Sequence, residues 1–171
     1  MASPLVVNIL ELTRRPGTDK DLDVAVPATI LEFADPRLDD DQDVEVSIHL
    51  ESVSGGIVAT GTARANAELS CRRCLREFTT DVDGEIDELY QRIPDNPDAT
   101  ALTGEQLDLT SVVREGVLLA LPDAPLCRPD CPGLCPQCGA DLASSPCGCN
   151  ATKTDDRWAA LDALRDQLPP G

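Results

Sequence analysis

Eight cysteines supply the chemistry of this 171-residue chain, and they fall into four close pairs: Cys71 and Cys74, Cys127 and Cys131, Cys135 and Cys138, Cys147 and Cys149. A two-residue spacer lets a tight turn aim both sulfurs at one ion, with metal–sulfur bonds near about 2.3 Å for zinc. Cys135-Pro136-Gln137-Cys138-Gly139 has the fullest knuckle pattern, because proline stiffens the turn and the trailing glycine tolerates positive φ. Eight thiolates make two four-cysteine sites. Cys135, Cys138, Cys147 and Cys149 form the preferred local set, since a short loop joins them at small entropic cost. Cys71 and Cys74 then meet Cys127 and Cys131, clipping an upstream strand to the cysteine-rich segment. Partner exchange between sites, and a single zinc with four spare thiols, stay open, and one residue between Cys147 and Cys149 strains chelation of one ion.

With every plausible ligand a cysteine, the sites read as closed and structural rather than catalytic. Iron–sulfur ligation uses the same donors and is kept as a lesser alternative. The single histidine, His49, falls on the polar face of a strand and reads as a surface side chain. Neither C-x-x-C pair opens a helix in a βαβ setting, and there is no phosphate-cradling glycine loop or serine–histidine pairing, so the chain is expected not to be an enzyme. Arg64, Arg72, Arg73 and Arg76 cluster in sequence about the first pair. They could contact RNA phosphate or an acidic partner, or balance the charge of a metal tetrathiolate, and the balancing role is preferred.

The elements that must position these groups follow from hydrophobic period. Val44, Val46, Ile48 and Leu50 alternate with polar residues, Ser54-Gly55-Gly56 turns the chain, and Ile57, Ala59, Ala63, Ala65, Ala67 and Leu69 alternate again, placing Cys71 in the same register. Phe78, Val82 and Ile86 oppose Asp81, Asp83, Glu85 and Asp87. This predicts an antiparallel meander with one solvated, acidic face. Leu5–Leu12 and Leu22–Phe33 are weaker strand candidates, and Pro94–Gly104 reads as a loop. Asp108 is expected to cap a helix running to about Leu121, with an apolar face broad enough, through Leu118, Leu119 and Leu121, for deep burial, and Pro122 ends it. From Leu126 to Asn150 six cysteines, four prolines and three glycines leave no period, so ligation must order the segment. A last helix is expected from Thr154, with Trp158, Leu161, Leu164 and Leu168 as its stripe. The fold class is therefore α+β: an antiparallel sheet, a buried helix, a cysteine-rich zinc-binding segment and a C-terminal helix. The expected divisions are 1–93, 94–125, 126–150 and 151–171.

Composition bounds the function. A formal charge of -17 argues against unaided nucleic-acid binding, and 2% aromatic residues argue against a base-stacking platform. No targeting segment is visible near Met1, and no apolar run spans a bilayer, so a cytoplasmic chain with reduced thiols is expected, without membrane contact.

Three blocks resemble the YceD family, named for large-subunit ribosomal RNA accumulation. They are Cys71-Arg72-Arg73-Cys74-Leu75, the run from Leu107-Asp108-Leu109 to Leu118-Leu119-Ala120-Leu121-Pro122, and Cys131-Pro132-Gly133-Leu134-Cys135-Pro136-Gln137-Cys138-Gly139 with Cys147, Cys149 and Asp156-Arg157-Trp158. The resemblance implies an accessory factor for large-subunit ribosomal RNA with no catalytic activity, working through a ribosome-assembly protein or a ribonucleoprotein particle. Direct RNA contact stays open. The alternatives are a redox-switched chaperone and a stand-alone RNA-binding protein.

Overall fold

Alternation of buried and exposed residues, running through most of Asp43–Val53, Gly56–Ser70 and Glu77–Gln91, makes each of these segments a strand with one apolar face. A computed structural model describes residues 3–95 and 97–149. In chain order it contains β1 (Val6–Asn8), α1 (Leu10–Arg14), β2 (Asp19–Pro27), α2 (Ala28–Leu31), β3 (Asp43–Val53), β4 (Gly56–Ser70), β5 (Glu77–Gln91), β6 (Thr100–Ala101), β7 (Gln106–Asp108) and α3 (Thr110–Ala120). The protein is α+β. Strands β2 to β5 form an antiparallel meander in sequence order, and β6 adds to β5 in parallel. β1 pairs with β7 in a separate antiparallel ribbon.

The two weak strand candidates are shorter than expected, and each runs into a helical turn. Leu5–Leu12 contains β1 and the start of α1, while Leu22–Phe33 contains the end of β2 and then α2. In the stretch expected to be a loop, β6 forms because Leu102 buries its side chain and donates its N–H to the Gln91 carbonyl at 2.8 Å.

Ile57, Ala59, Ala63, Ala65, Ala67 and Leu69 of β4 and Val82 and Ile86 of β5 face a core closed by α3, the short helices and the β1–β7 ribbon. Helix α3 lies against β5 at Gly84 and Gly116: the Gly116 backbone occupies the space a side chain on Gly84 would need, and the Glu85 carbonyl lies close to where a Cβ on Gly116 would fall. Its burial is one-sided: Val113, Gly116 and Val117 are buried, whereas Leu119 is 85% exposed. Of the residues expected to widen the apolar face, Leu121 is buried and Leu118 packs against the core, so the correction falls on Leu119 alone. The close glycine contact presses one stripe onto the sheet and turns Leu119 to solvent. The helix start also differs by a residue. Leu109 holds the N-cap position, and Asp108 accepts the Thr110 N–H at 2.9 Å from one residue further out. The chain turns extended at Leu121, before Pro122.

The opposite sheet face carries Asp81, Asp83, Glu85 and Asp87, all exposed, as the alternation implied. No helix among the described residues is long and apolar enough to cross a membrane. The helix expected from Thr154 lies outside the described residues.

Candidate metal centres

β4 and β5 pair as far as Ser70 opposite Glu77, and the six residues between them form a knuckle at the hairpin's tip. Cys71 donates its N–H to the Arg76 carbonyl at 2.9 Å, and Leu75 donates to the Cys71 carbonyl at 2.8 Å. After α3 the chain returns to this tip, where the Pro125 carbonyl accepts the Arg72 N–H at 2.9 Å. That return brings Cys127 and Cys131 onto Cys71 and Cys74. The Sγ atoms of Cys71 and Cys131 lie 3.8 Å apart and those of Cys74 and Cys127 3.7 Å apart. All four sulfurs fall within 4.8 Å of one another. A regular tetrahedron with metal–sulfur bonds of about 2.3 Å has edges of about 3.8 Å, so the set fits one tetrahedral ion. A disulfide needs about 2.05 Å.

The second knuckle repeats the first bond for bond. Gly139 donates to the Cys135 carbonyl at 2.9 Å, and Cys135 donates to the Ala140 carbonyl at 2.8 Å. Cys135, Cys138, Cys147 and Cys149 form a second group of four sulfurs within 4.8 Å, so the single residue between Cys147 and Cys149 does not keep either sulfur out of the group. Asp141 shapes the connecting loop. Its carbonyl accepts the N–H groups of Ser144 and Ser145, and its carboxylate accepts that of Ala143 at 2.9 Å. The two groups differ in exposure: Cys71, Cys131 and Cys135 are buried, while Cys138 and Cys149 are exposed.

Within each set the surroundings favour ionisation of one sulfur and oppose it at others. Backbone N–H groups of Cys127, Cys74 and Arg73 point at Cys71 and bring its pKa down to about 6. Those of Cys138 and Gln137 do the same for Cys135, also to about 6. Burial, with the neighbouring thiols, pushes Cys127 up to about 12, and the Cys138 and Cys147 thiols push Cys149 up to about 12. Four adjacent sulfurs cannot all ionise unaided, and a bound cation is what would let them do so.

The arginines divide. The Arg73 guanidinium donates to the carbonyls of Cys131 at 2.9 Å and Pro129 at 3.4 Å, bracing the returning loop. Arg76 pairs with Asp141 at 3.3 Å, linking the first knuckle to the second. Arg64 stands apart from both, paired with Asp83 at 2.6 Å on the solvent face, about 23 Å of strand from Cys71. Arg72 is exposed at the tip. His49 is exposed and lies beside Asp21, its Nδ1 2.7 Å from the carboxylate.

Sequence reasoning missed Gly133 and Asp141. Gly133 adopts φ +77, and a Cβ there would come 2.9 Å from the Arg73 carbonyl, which also accepts the Leu134 N–H at 3.0 Å. The glycine thus lets the second knuckle dock on the first. Its place between Cys131 and Cys135 was the available signal.

Among known proteins, the chain is 39% identical to an uncharacterized protein of Mycobacterium tuberculosis, over 94% of this chain and 81% of the relative. It is 32% identical to an uncharacterized protein of Mycobacterium leprae, over 99% of this chain and 82% of the relative. A third relative, from Arabidopsis thaliana, is a large ribosomal RNA subunit accumulation protein YCED homolog 1, chloroplastic, 30% identical over 37% of this chain and 20% of its own length. No solved structure gives a significant match. Residues 59–165, which include all eight cysteines, match the family described as large ribosomal RNA subunit accumulation protein YceD, and the chain therefore belongs to the YceD family.

Proposed function

We infer that this chain is a non-catalytic, zinc-bound accessory factor that supports accumulation of large-subunit ribosomal RNA in the cytoplasm. It acts through a ribosome-assembly protein or a ribonucleoprotein particle. The observation that carries the reading is the pair of four-sulfur groups, which dock an irregular segment on the β4–β5 tip in a chain of this family. Four thiolates at tetrahedral spacing favour zinc and leave no open position for a substrate. The charge of -17 favours a protein or particle partner over bare RNA.

The test combines metal content with RNA levels. Anaerobically purified protein should carry two zinc ions per chain. Cells lacking the gene should show a lowered ratio of large- to small-subunit ribosomal RNA, restored by the native gene but not by Cys74→Ser. A metal-free protein with free thiols would sink the zinc reading, and an unchanged ratio would sink the ribosomal one.

The exposure of Cys138 and Cys149 favours one second reading, a thiol-switch chaperone. There a hydroperoxide would take two electrons from a thiolate pair and two protons from solvent, leaving a disulfide, free zinc, one alcohol and one water. Zinc release by mild peroxide together with new suppression of aggregation would select this reading. Release with simple loss of structure would select the first.

A further inference from the structure

The two knuckles share their backbone hydrogen bonding but not the residue that takes the left-handed position. Where the second carries Gly139 at φ 73, the first carries Leu75 at φ 59. This left-handed conformation is relaxed for glycine and strained for leucine, whose Cβ crowds the following carbonyl. The surroundings enforce it, because Leu75 donates to the Cys71 carbonyl at 2.8 Å and accepts from the Ser70 hydroxyl at 3.4 Å. Packing does not explain the leucine, since Leu75 is 67% exposed. An apolar side chain held out in solvent, in a backbone conformation it disfavours, is the kind of outlier that concentrates at recognition sites.

Its neighbours sharpen the assignment. Within Cys71–Arg76 the two cysteines face the metal group, Arg73 braces Pro129 and Cys131, and Arg76 pairs with Asp141. That leaves Arg72 and Leu75 facing outward. Among the described residues the Arg72 guanidinium makes no ion pair or hydrogen bond. Beside the tip opens a groove of about 720 Å³, bounded by Ser70 and Pro125, both bonded to the knuckle, and lined by Pro36 and by the cross-strand pair Leu69 and Phe78.

We propose that the Leu75–Arg72 tip is the docking point for a protein partner, with Leu75 entering an apolar pocket whose rim carries carboxylates for Arg72. A protein fits better than RNA: the surface offers one ring, Phe78 in the groove, and one uncommitted guanidinium at the tip, whereas RNA sites combine several rings with several cations. The inference rests on the ribosome-assembly reading and names the contact that would serve it.

The test measures binding of full-length zinc-loaded protein to purified large-subunit precursor particles and, separately, to the naked RNA extracted from them. Leu75→Gly and Leu75→Asn both accept the left-handed backbone, and Arg72→Glu reverses an exposed charge. Each should weaken particle binding by about tenfold or more. Leu75→Gly should meanwhile keep two zinc ions and melt at or above the native temperature. Full particle affinity in both Leu75 variants would overturn the docking point while leaving the ribosomal reading intact. Equal native binding to particles and naked RNA, falling steeply with salt, would overturn the choice of a protein partner. Absence of native binding to either would overturn both this inference and the particle contact it rests on.

Discussion

Gly84 of β5 and Gly116 of α3 meet backbone to backbone. A Cβ built on Gly84 would lie 2.5 Å from the Gly116 carbonyl oxygen and 2.6 Å from the Val117 nitrogen. Neither atom can rotate aside, so Gly84→Ala must push the helix off the sheet. The expected cost is about 2–3 kcal/mol in urea unfolding. Gly116→Ala meets the Glu85 carbonyl oxygen at 3.0 Å, a milder contact, and gains helix propensity of roughly 1 kcal/mol. It should stay within about 1 kcal/mol of native. Equal costs for the two variants would show that the contact is looser than drawn.

Arg73 joins three pieces of chain, with its guanidinium on Pro129 and Cys131 and its own carbonyl receiving Leu134. Lysine keeps the charge, but both bonds come from one guanidinium nitrogen, Nη1, which the rigid planar group holds in place and a flexible ammonium stem does not. Arg73→Lys should therefore cost about 1 kcal/mol and speed metal transfer to a chromophoric chelator, with stoichiometry unchanged. Unchanged release kinetics would mean that the returning loop needs no brace.

The sheet was legible because β3, β4 and β5 are each buried on one face only, so burial wrote a period of two into Val44–Leu50, Ile57–Leu69 and Phe78–Ile86. The grouping of the cysteines was legible for a related reason: the short loop between Cys138 and Cys147 favours a local set, and the structure brings together that set and the complementary one. What sequence could not supply was tertiary. The exposure of Leu119 follows from the Gly84–Gly116 contact between elements distant in sequence. The separation of Arg64 from Arg73 and Arg76 reflects strand direction, because residues close in sequence spread quickly along an extended chain. The β1–β7 ribbon joins segments about a hundred residues apart with three residues each, too short to leave a period.

His49 and Asp21 face each other across β2 and β3, and the Asp21 carboxylate raises the His49 pKa above its ordinary value, with Asp19 and Glu51 adding to the effect. A folded pKa above the unfolded one means that the fold favours the protonated ring. The stabilisation is fully present below about pH 6.5, the unfolded value, and is lost as pH rises through the folded pKa. Titration followed by NMR should place the His49 midpoint above about 6.5, and Asp21→Asn should move it back down. A native midpoint at or below about 6.5 would show that the pair does not form in solution.

The two sulfur groups should release metal differently, because release requires a ligand to be exchanged and the groups expose their ligands unequally. Cys71 and Cys131 of the first group are buried, whereas Cys138 and Cys149 of the second are exposed. With a competing chelator, one ion per chain should leave on the order of tenfold faster than the other, since local opening is easier where less is buried. Under those conditions Cys138→Ser should abolish the fast phase and open residues 136–149 to protease. Cys74→Ser should abolish the slow phase, free the segment after Pro122, and leave the local second group able to hold its ion. The β circular dichroism should survive in both variants, because the core between the sheet and α3 is built from residues outside either group. A single release phase, removed equally by either substitution, would mean that the sulfurs exchange partners and act as one centre.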